Sequence, residues 1–259
     1  MVGIVGILGG MGPLATVDLY RKIILATSAG CDQEHLHVVI EADPSVPDRS
    51  SFLRGHGPDP LPALTRGARR LADAGVDFVV IPCNTAHAFL PTLRALVPLP
   101  FLDMVAETAE RVRVTYPEVR RVGILATEGT IATGLYHEAL RARGLVPLQP
   151  DEAGHRLVGA AIAAVKGGDT GPGVGALLVE ASRALIAAGA EVLLAACTEL
   201  PLVLTGALVP VPLLDPTQML AEAAVREARA HGSEDRHAGR RTIPAAAPER
   251  GVLSDERTD

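Results

Sequence analysis

Several things are missing from this sequence, and each absence narrows what the chain can be. No run of about 18 uninterrupted apolar residues occurs, so a membrane-spanning helix is not expected. Basic residues are not in excess: 24 Lys+Arg against 30 Asp+Glu give a net charge of -6, no footprint for nucleic acid. Cysteine is scarce. Cys31, Cys83 and Cys197 are an odd count without close spacing, which argues for free thiols rather than a disulfide framework. Neither a CxxC nor an HxxxH pair occurs, and Cys83 with His87 offers only two ligands. Metal sites need three or four, so no metal is expected. The opening MVGIVGILGGMG is apolar but has no basic stretch. It reads as a buried strand rather than a secretory signal, and a cytoplasmic protein is expected.

What is present alternates. Hydrophobic residues make up 48% of the 259, enough for a full core. Short β-branched runs lie at 2–8, 37–42, 77–82, 121–127, 191–196 and 211–215. Helical stretches lie between them, near 13–29, 60–75, 86–96, 104–115, 131–143, 155–166, 172–189 and 216–231. Strand-helix alternation with Gly or Pro at the joints predicts parallel sheets of the α/β class. Continuously apolar strands suit sheets covered by helices on both faces.

The chain also repeats itself. RRLADAGVDFVVIPCNT (69–85) aligns without a gap within SRALIAAGAEVLLAACTE (182–199), on residues 183–199. Leu71 meets Leu185, Ala74 meets Ala188, Gly75 meets Gly189 and Cys83 meets Cys197. PLPFLD (98–103) matches PVPLLD (210–215), pairing Asp103 with Asp215, and VGILGGMG (5–12) matches VGILATEG (122–129). Three matches in one order predict two pseudo-symmetric α/β domains. The expected division is 1–103 plus 216–231 for the first, 104–215 for the second, and a disordered, mixed-charge tail over 232–259. Each domain offers a cysteine just past a strand's carboxyl end, where open parallel sheets bind ligands. An active site in the interdomain cleft follows.

A symmetric pair of thiols has a specific use. Inverting a stereocentre that bears an acidic hydrogen takes one base on one face and one acid on the other. A thiolate and a thiol fill both roles in both directions. The unperturbed cysteine pKa of about 8.5 requires activation. Helix starts after Cys83 and Cys197 are expected to favour the thiolate. A buried cysteine is otherwise an ordinary small hydrophobe, the reading kept for Cys31, which lies outside the repeat.

Other segments are expected to point into the same cleft. LGGMGPLAT (8–16) lacks the GxGxxG spacing of a dinucleotide loop, but its glycines permit close approach to a small anion or make a tight strand-helix turn. Thr127 and Thr130 offer hydroxyls to a ligand or cap a helix. Arg49, in EADPSVPDRS (41–50), suits a bidentate carboxylate pair, and Lys166, in AVKGGD, adds a second cation. Either of these two is otherwise a solvated surface charge.

Taken together, GILGGMGPLAT, DPSVPDRS, PCNTAH, GILATEGT, AVKGGD and ACTEL resemble the aspartate/glutamate racemase family, specifically its aspartate racemase branch. The resemblance runs from about Gly3 to Ala230. GGMGPLAT with PDR is its more specific part and differs from the DSG-type opening of glutamate racemases. The resemblance implies a homodimeric racemase of two pseudo-symmetric α/β domains, acting on an acidic amino acid without pyridoxal phosphate, metal or other cofactor. It implies Cys83 and Cys197 as the acid/base pair. Asn84, Thr85 and Thr198, with the Met11–Gly12 loop and Thr127, would hold the α-carboxylate or α-amino group. Arg49 and Lys166 would fix the side-chain carboxylate. No nucleic-acid or membrane partner is expected.

Rival readings remain. A hydantoin racemase, a maleate isomerase or an arylmalonate decarboxylase shares the superfamily, though the decarboxylase needs only one cysteine. Glutamate, or a broad range of amino acids, is an alternative substrate, because one methylene is worth only about 1–3 kcal/mol in a pocket. A non-catalytic, two-lobed binding protein for acidic amino acids is the alternative from another class.

Overall fold

A computed structural model describes residues 2–238, with side chains described as far as His231. Two parallel sheets carry the fold. The first has the order β2-β1-β3, from β1 (Val5–Gly9), β2 (Val38–Ala42) and β3 (Phe78–Val80). The second has the order β5-β4-β6-β7, from β4 (Arg121–Ala126), β5 (Val146–Leu148), β6 (Val192–Ala196) and β7 (Leu213–Leu214). Around the first sheet run α1 (Pro13–Ala26), α2 (Arg49–Leu53), α3 (Leu61–Asp73) and α4 (Leu90–Leu96), and α5 (Met104–Thr115) then crosses to pack on the second through Val105, Ala109 and Val112. Around the second run α6 (Glu128–Ala132), α7 (Leu135–Arg141), α8 (Glu152–Lys166) and α9 (Pro172–Ala187), and α10 (Pro216–Ala238) closes the order.

The central strands are apolar throughout because helices cover both their faces. Every residue of β1 and of β6 is buried. One core around the first sheet joins Leu8, Leu64, Leu71, Val79 and Leu93, and another joins Val5, Ile7, Leu19 and Phe78. The second sheet has its own two, one with Leu125, Val158, Leu178 and Leu193, the other with Ile124, Tyr136, Leu140 and Leu194. Leu220, Ala221, Ala224 and Val225 of α10 enter the core around Val5 and Ile7, so the last helix returns to the first sheet.

The sequence repeat is reproduced in the backbone. Val79 bridges Phe101 in parallel, and the aligned pair Leu193 and Leu213 makes the same contact. Gly75 and Gly189, with φ of 76° and 95°, end α3 and α9 in the left-handed region, which favours glycine. Asp103 caps α5 by accepting from the Val105 and Ala106 N–H groups at 3.0 Å, and Asp215 accepts from Thr217 N–H at 2.8 Å where α10 begins. Buried Lys22 of α1 bonds Asp18 and also Asp215, at 2.5 Å, tying α1 to the end of the second sheet.

Several boundaries differ from expectation. β5 was not anticipated: it is three residues long, contains Pro147 and pairs only with β4, as an edge strand permits. The helix expected over 131–143 is two, α6 and α7, broken by Gly134 at φ 68°. Part of the loop expected at 41–50 begins α2, where Asp48 accepts from Ser51 N–H at 2.7 Å. α10 continues to Ala238, so the first seven residues expected in a tail are helical; 239–259 lie outside the described residues. Among the described residues, no helix is long and apolar enough to cross a membrane.

Candidate active site

Cys83 follows β3 and Cys197 follows β6, each just past the carboxyl end of a strand. Both are 6% exposed. They line one pocket, together with Met11, Arg49, Asn84, Thr85, Thr127, Lys166 and Thr198, so the structure gathers almost every site residue expected from the sequence. That pocket holds about 10 Å³, room for a single water. Gly12 lies just outside it. It lines an adjoining cavity of about 540 Å³ that Met11, Arg49, Lys166 and Glu199 share. The inner pocket is therefore narrow, and the outer one adjoins it as a vestibule. Cys31 is exposed and lines neither.

The two cysteines have different neighbours. Cys197 Sγ donates to Glu199 Oε2 at 3.0 Å. Burial pushes the Cys197 thiol well above the usual range; the Glu199 charge and its hydrogen bond push the same way, and Lys166 opposes them. The expected thiolate-favouring helix start is therefore not what governs Cys197. The turns that follow the cysteines are short 3-10 segments, Thr85–Phe89 and Leu200–Leu202, and a buried carboxylate outweighs what the second can offer. In the repeat the position matching Glu199 is Thr85.

Cys83 is held from behind. Met104 N–H donates to His87 Nε2 at 3.1 Å, so the proton of the ring sits on Nδ1, which donates to the Cys83 carbonyl at 2.9 Å. Burial lowers the His87 pKa, with the Asp103 charge partly opposing, and keeps the ring neutral. His87 thus braces backbone rather than sharing a metal face with Cys83.

Polar contacts across the two sheets complete the walls. Thr85 Oγ1 meets Thr127 Oγ1 at 3.0 Å and Thr130 Oγ1 at 2.8 Å. Thr127 also accepts from Thr130 N–H at 3.1 Å, so it both caps α6 and faces the pocket. Tyr136 Oη donates to Asn84 Oδ1 at 2.5 Å, and Thr198 Oγ1 donates to the Pro82 carbonyl at 3.3 Å. Gly129 lets α6 approach Ser50 closely: an added Cβ would lie 2.6 Å from Ser50 Cα.

Arg49 is 7% exposed, not a solvated surface charge. Its Nη1 donates to the Val46 and Pro47 carbonyls and its Nη2 to the Met11 carbonyl, fixing both loops. Arg49 Nε, Asn84 Nδ2 and Glu199 Oε1 are buried without a hydrogen-bond partner among the described residues. Buried groups of this kind are ordinarily met by a water, an ion or a bound ligand. Asp48, exposed at the rim, sits below the usual carboxylate range: partial burial raises it, but the Ser51 bonds and the Arg49 and Lys166 charges outweigh that. Glu199 and Tyr136 were not singled out from the sequence. Glu199 stands inside the ACTEL motif, which was its available signal; Tyr136 had none.

The family model described as Asp/Glu/Hydantoin racemase matches residues 8–224. The broad specificity amino-acid racemase RacX of Bacillus subtilis (strain 168) is 30% identical over 225 residues, covering 85% of this chain and 96% of that protein. Among solved structures, the Picrophilus torridus aspartate racemase superposes with a TM-score of 0.77 at 31% identity, covering 88% of this chain and 94% of that one. Glutamate racemase from Francisella tularensis, at 15% identity and a TM-score of 0.66, shares the fold over 91% of this chain and 82% of its own.

Proposed function

The chain belongs to the Asp/Glu/hydantoin racemase family and is an amino-acid racemase; from that premise we propose that its substrate is aspartate, inverted at Cα by Cys83 and Cys197 without a cofactor. One observation carries the reading. Two cysteines of matching origin, a buried arginine with a free Nε, and a lysine line a single narrow pocket. Family membership sets aside the non-catalytic binding protein.

Cys197 is held as a thiol and serves as the acid. Cys83, as thiolate, takes the α-proton from the opposite face: the S–H bond forms as the Cα–H bond breaks, and the electron pair stays on the substrate. Cys197 then delivers its proton to Cα. The reverse direction exchanges these roles. No cofactor is invoked as an electron sink, so the α-carboxylate takes the developing charge. Asn84 Nδ2 would donate to that carboxylate, and Thr85, Thr127, Thr198 and the Met11–Gly12 loop around it would hold the same group or the α-amino group. Arg49 Nε and Lys166 would fix the side-chain carboxylate. Preorganised donors in a pocket this narrow and buried act at low dielectric, where they stabilise a carbanion far better than water does. The 10 Å³ pocket admits no amino acid as it stands, so the two halves part for entry and close for chemistry.

A second reading is a wider substrate range, including glutamate. The 540 Å³ vestibule beyond Arg49 and Lys166 favours it, as does the similarity to a racemase of broad specificity. The test is to incubate purified protein with L-aspartate, L-glutamate and L-alanine and separate the enantiomers by chiral chromatography. D-aspartate should form fastest and D-alanine slowest. Equal rates would sink the aspartate assignment and leave the broad one.

The remaining features of the proposal are a cytoplasmic homodimer and a domain division at 1–103 plus 216–231 against 104–215. The homodimer is supported by the exposed apolar side chains of α1: Leu14, Val17, Tyr20, Ile24 and Leu25. The division is supported by separate cores on each sheet and by α10 packing on the first.

A further inference from the structure

We infer that Tyr136 is a positioning residue: its hydroxyl sets the Asn84 side-chain amide so that the N–H edge, not the carbonyl, faces the substrate. The inference rests on the reading of the narrow pocket as an amino-acid site and adds a residue to it. Asn84 follows Cys83 directly, is 2% exposed and lines the pocket. A side-chain amide can present either its oxygen or its nitrogen, and what decides is the partner on the other edge. Here the partner is Tyr136 Oη, which donates to Asn84 Oδ1 at 2.5 Å. The carbonyl edge is thereby taken.

Asn84 Nδ2 is left buried and without a partner among the described residues. A buried donor without an acceptor is costly to keep, so its presence marks a place for an acceptor on the ligand. An N–H edge serves a carboxylate oxygen and cannot serve an ammonium group. The ligand group beside Asn84 is therefore a carboxylate of the substrate. Tyr136 is 1% exposed, and burial raises its pKa, so it remains a protonated donor across the working range. Its own neighbour Thr108 already donates its hydroxyl proton to the Met104 carbonyl at 2.7 Å.

The two partners come from different halves of the molecule. Tyr136 stands on α7, beside the second sheet, and Asn84 follows β3 of the first. The amide is thus oriented when the halves meet, and closure of the pocket also completes the donor that receives the substrate.

The test uses the full chain, its Tyr136→Phe, Asn84→Ala and Asn84→Asp variants, and the double variant Tyr136→Phe with Asn84→Ala. Succinate, a dicarboxylate that cannot turn over, is the probe, and its affinity is read by titration calorimetry. Tyr136→Phe should weaken succinate binding about tenfold, the loss of one oriented hydrogen bond. The double variant should bind no worse than Asn84→Ala alone, because the hydroxyl acts only through the amide. Asn84→Asp, which keeps an acceptor for Tyr136 but removes the donor, should lose binding as Asn84→Ala does while keeping a cooperative thermal melt. Wild-type affinity in Tyr136→Phe, or penalties that add in the double variant, would overturn the inference. A wild-type protein that binds succinate but racemises no amino acid would count against the function and not against the Tyr136 assignment.

Discussion

Cys83 and Cys197 occupy matching places in the repeat, yet their surroundings have diverged. Behind Cys83 stands neutral His87, bonded to the Cys83 carbonyl; the matching position in the second half is Pro201. Beside Cys197 stands the Glu199 carboxylate; the matching position in the first half is Thr85, which joins a cluster of hydroxyls. Duplication put two thiols on the lining of one pocket. Divergence gave one of them a carboxylate that keeps its proton in place. The proposed two-base reaction at Cα needs one acid and one base at any moment, and the proton that Glu199 holds on Cys197 supplies the acid.

The strongest way to break this comparison is to remove either sulfur. Cys83→Ala and Cys197→Ala should each lose about 10⁴-fold in racemisation, with unchanged circular dichroism, since each is needed in both directions. Full activity in either variant would show that its half is dispensable. Glu199→Gln sharpens the comparison at one side only. With the negative charge gone, Cys197 should lose its proton at lower pH. The alkaline limb of the kcat/KM profile, which reports the acid, should move to lower pH, and the maximum should fall about 10- to 100-fold. An unmoved limb would mean that Glu199 does not govern Cys197.

The smallest effect concerns His87. In the unfolded chain a histidine takes up a proton near pH 6.5, whereas burial keeps the folded His87 neutral there. The unfolded state then binds more protons, so stability falls as pH drops through about 6.5, by up to about 1.4 kcal/mol per pH unit. His137 and His155, also lowered mainly by burial, contribute with the same sign. Urea melts at several pH values should show this slope, and it should be shallower in His87→Asn. An equal slope in that variant would assign the effect to the other histidines.

Much of this was legible before any coordinates. The repeat announced two related sheets, and its aligned glycines, aspartates and cysteines fall at equivalent places because each does a local job: ending a helix, capping one, or following a strand. Cys83, Asn84, Cys197, Arg49 and Lys166 come together as expected, since all lie in loops at the carboxyl ends of strands or at helix termini near them. Local pattern failed where partners are remote. Tyr136 meets a residue 52 positions away, and nothing within α7 signals that bond. The protonation of Cys197 is likewise set by surroundings that no local pattern carries: burial and a buried carboxylate two residues along outweigh a 3-10 turn. β5 escaped notice because three residues with a central proline carry no strand period.

The most direct test of the two-sided mechanism is where the α-hydrogen goes. L-aspartate is incubated with the wild-type protein in D₂O, and both enantiomers are examined by mass spectrometry while conversion is still a few per cent. With Cys83 and Cys197 on opposite faces, the D-aspartate formed should carry deuterium at Cα and the remaining L-aspartate should carry almost none. Early D-aspartate that retains the original hydrogen would mean one base working from both sides, and the paired-thiol mechanism would fail.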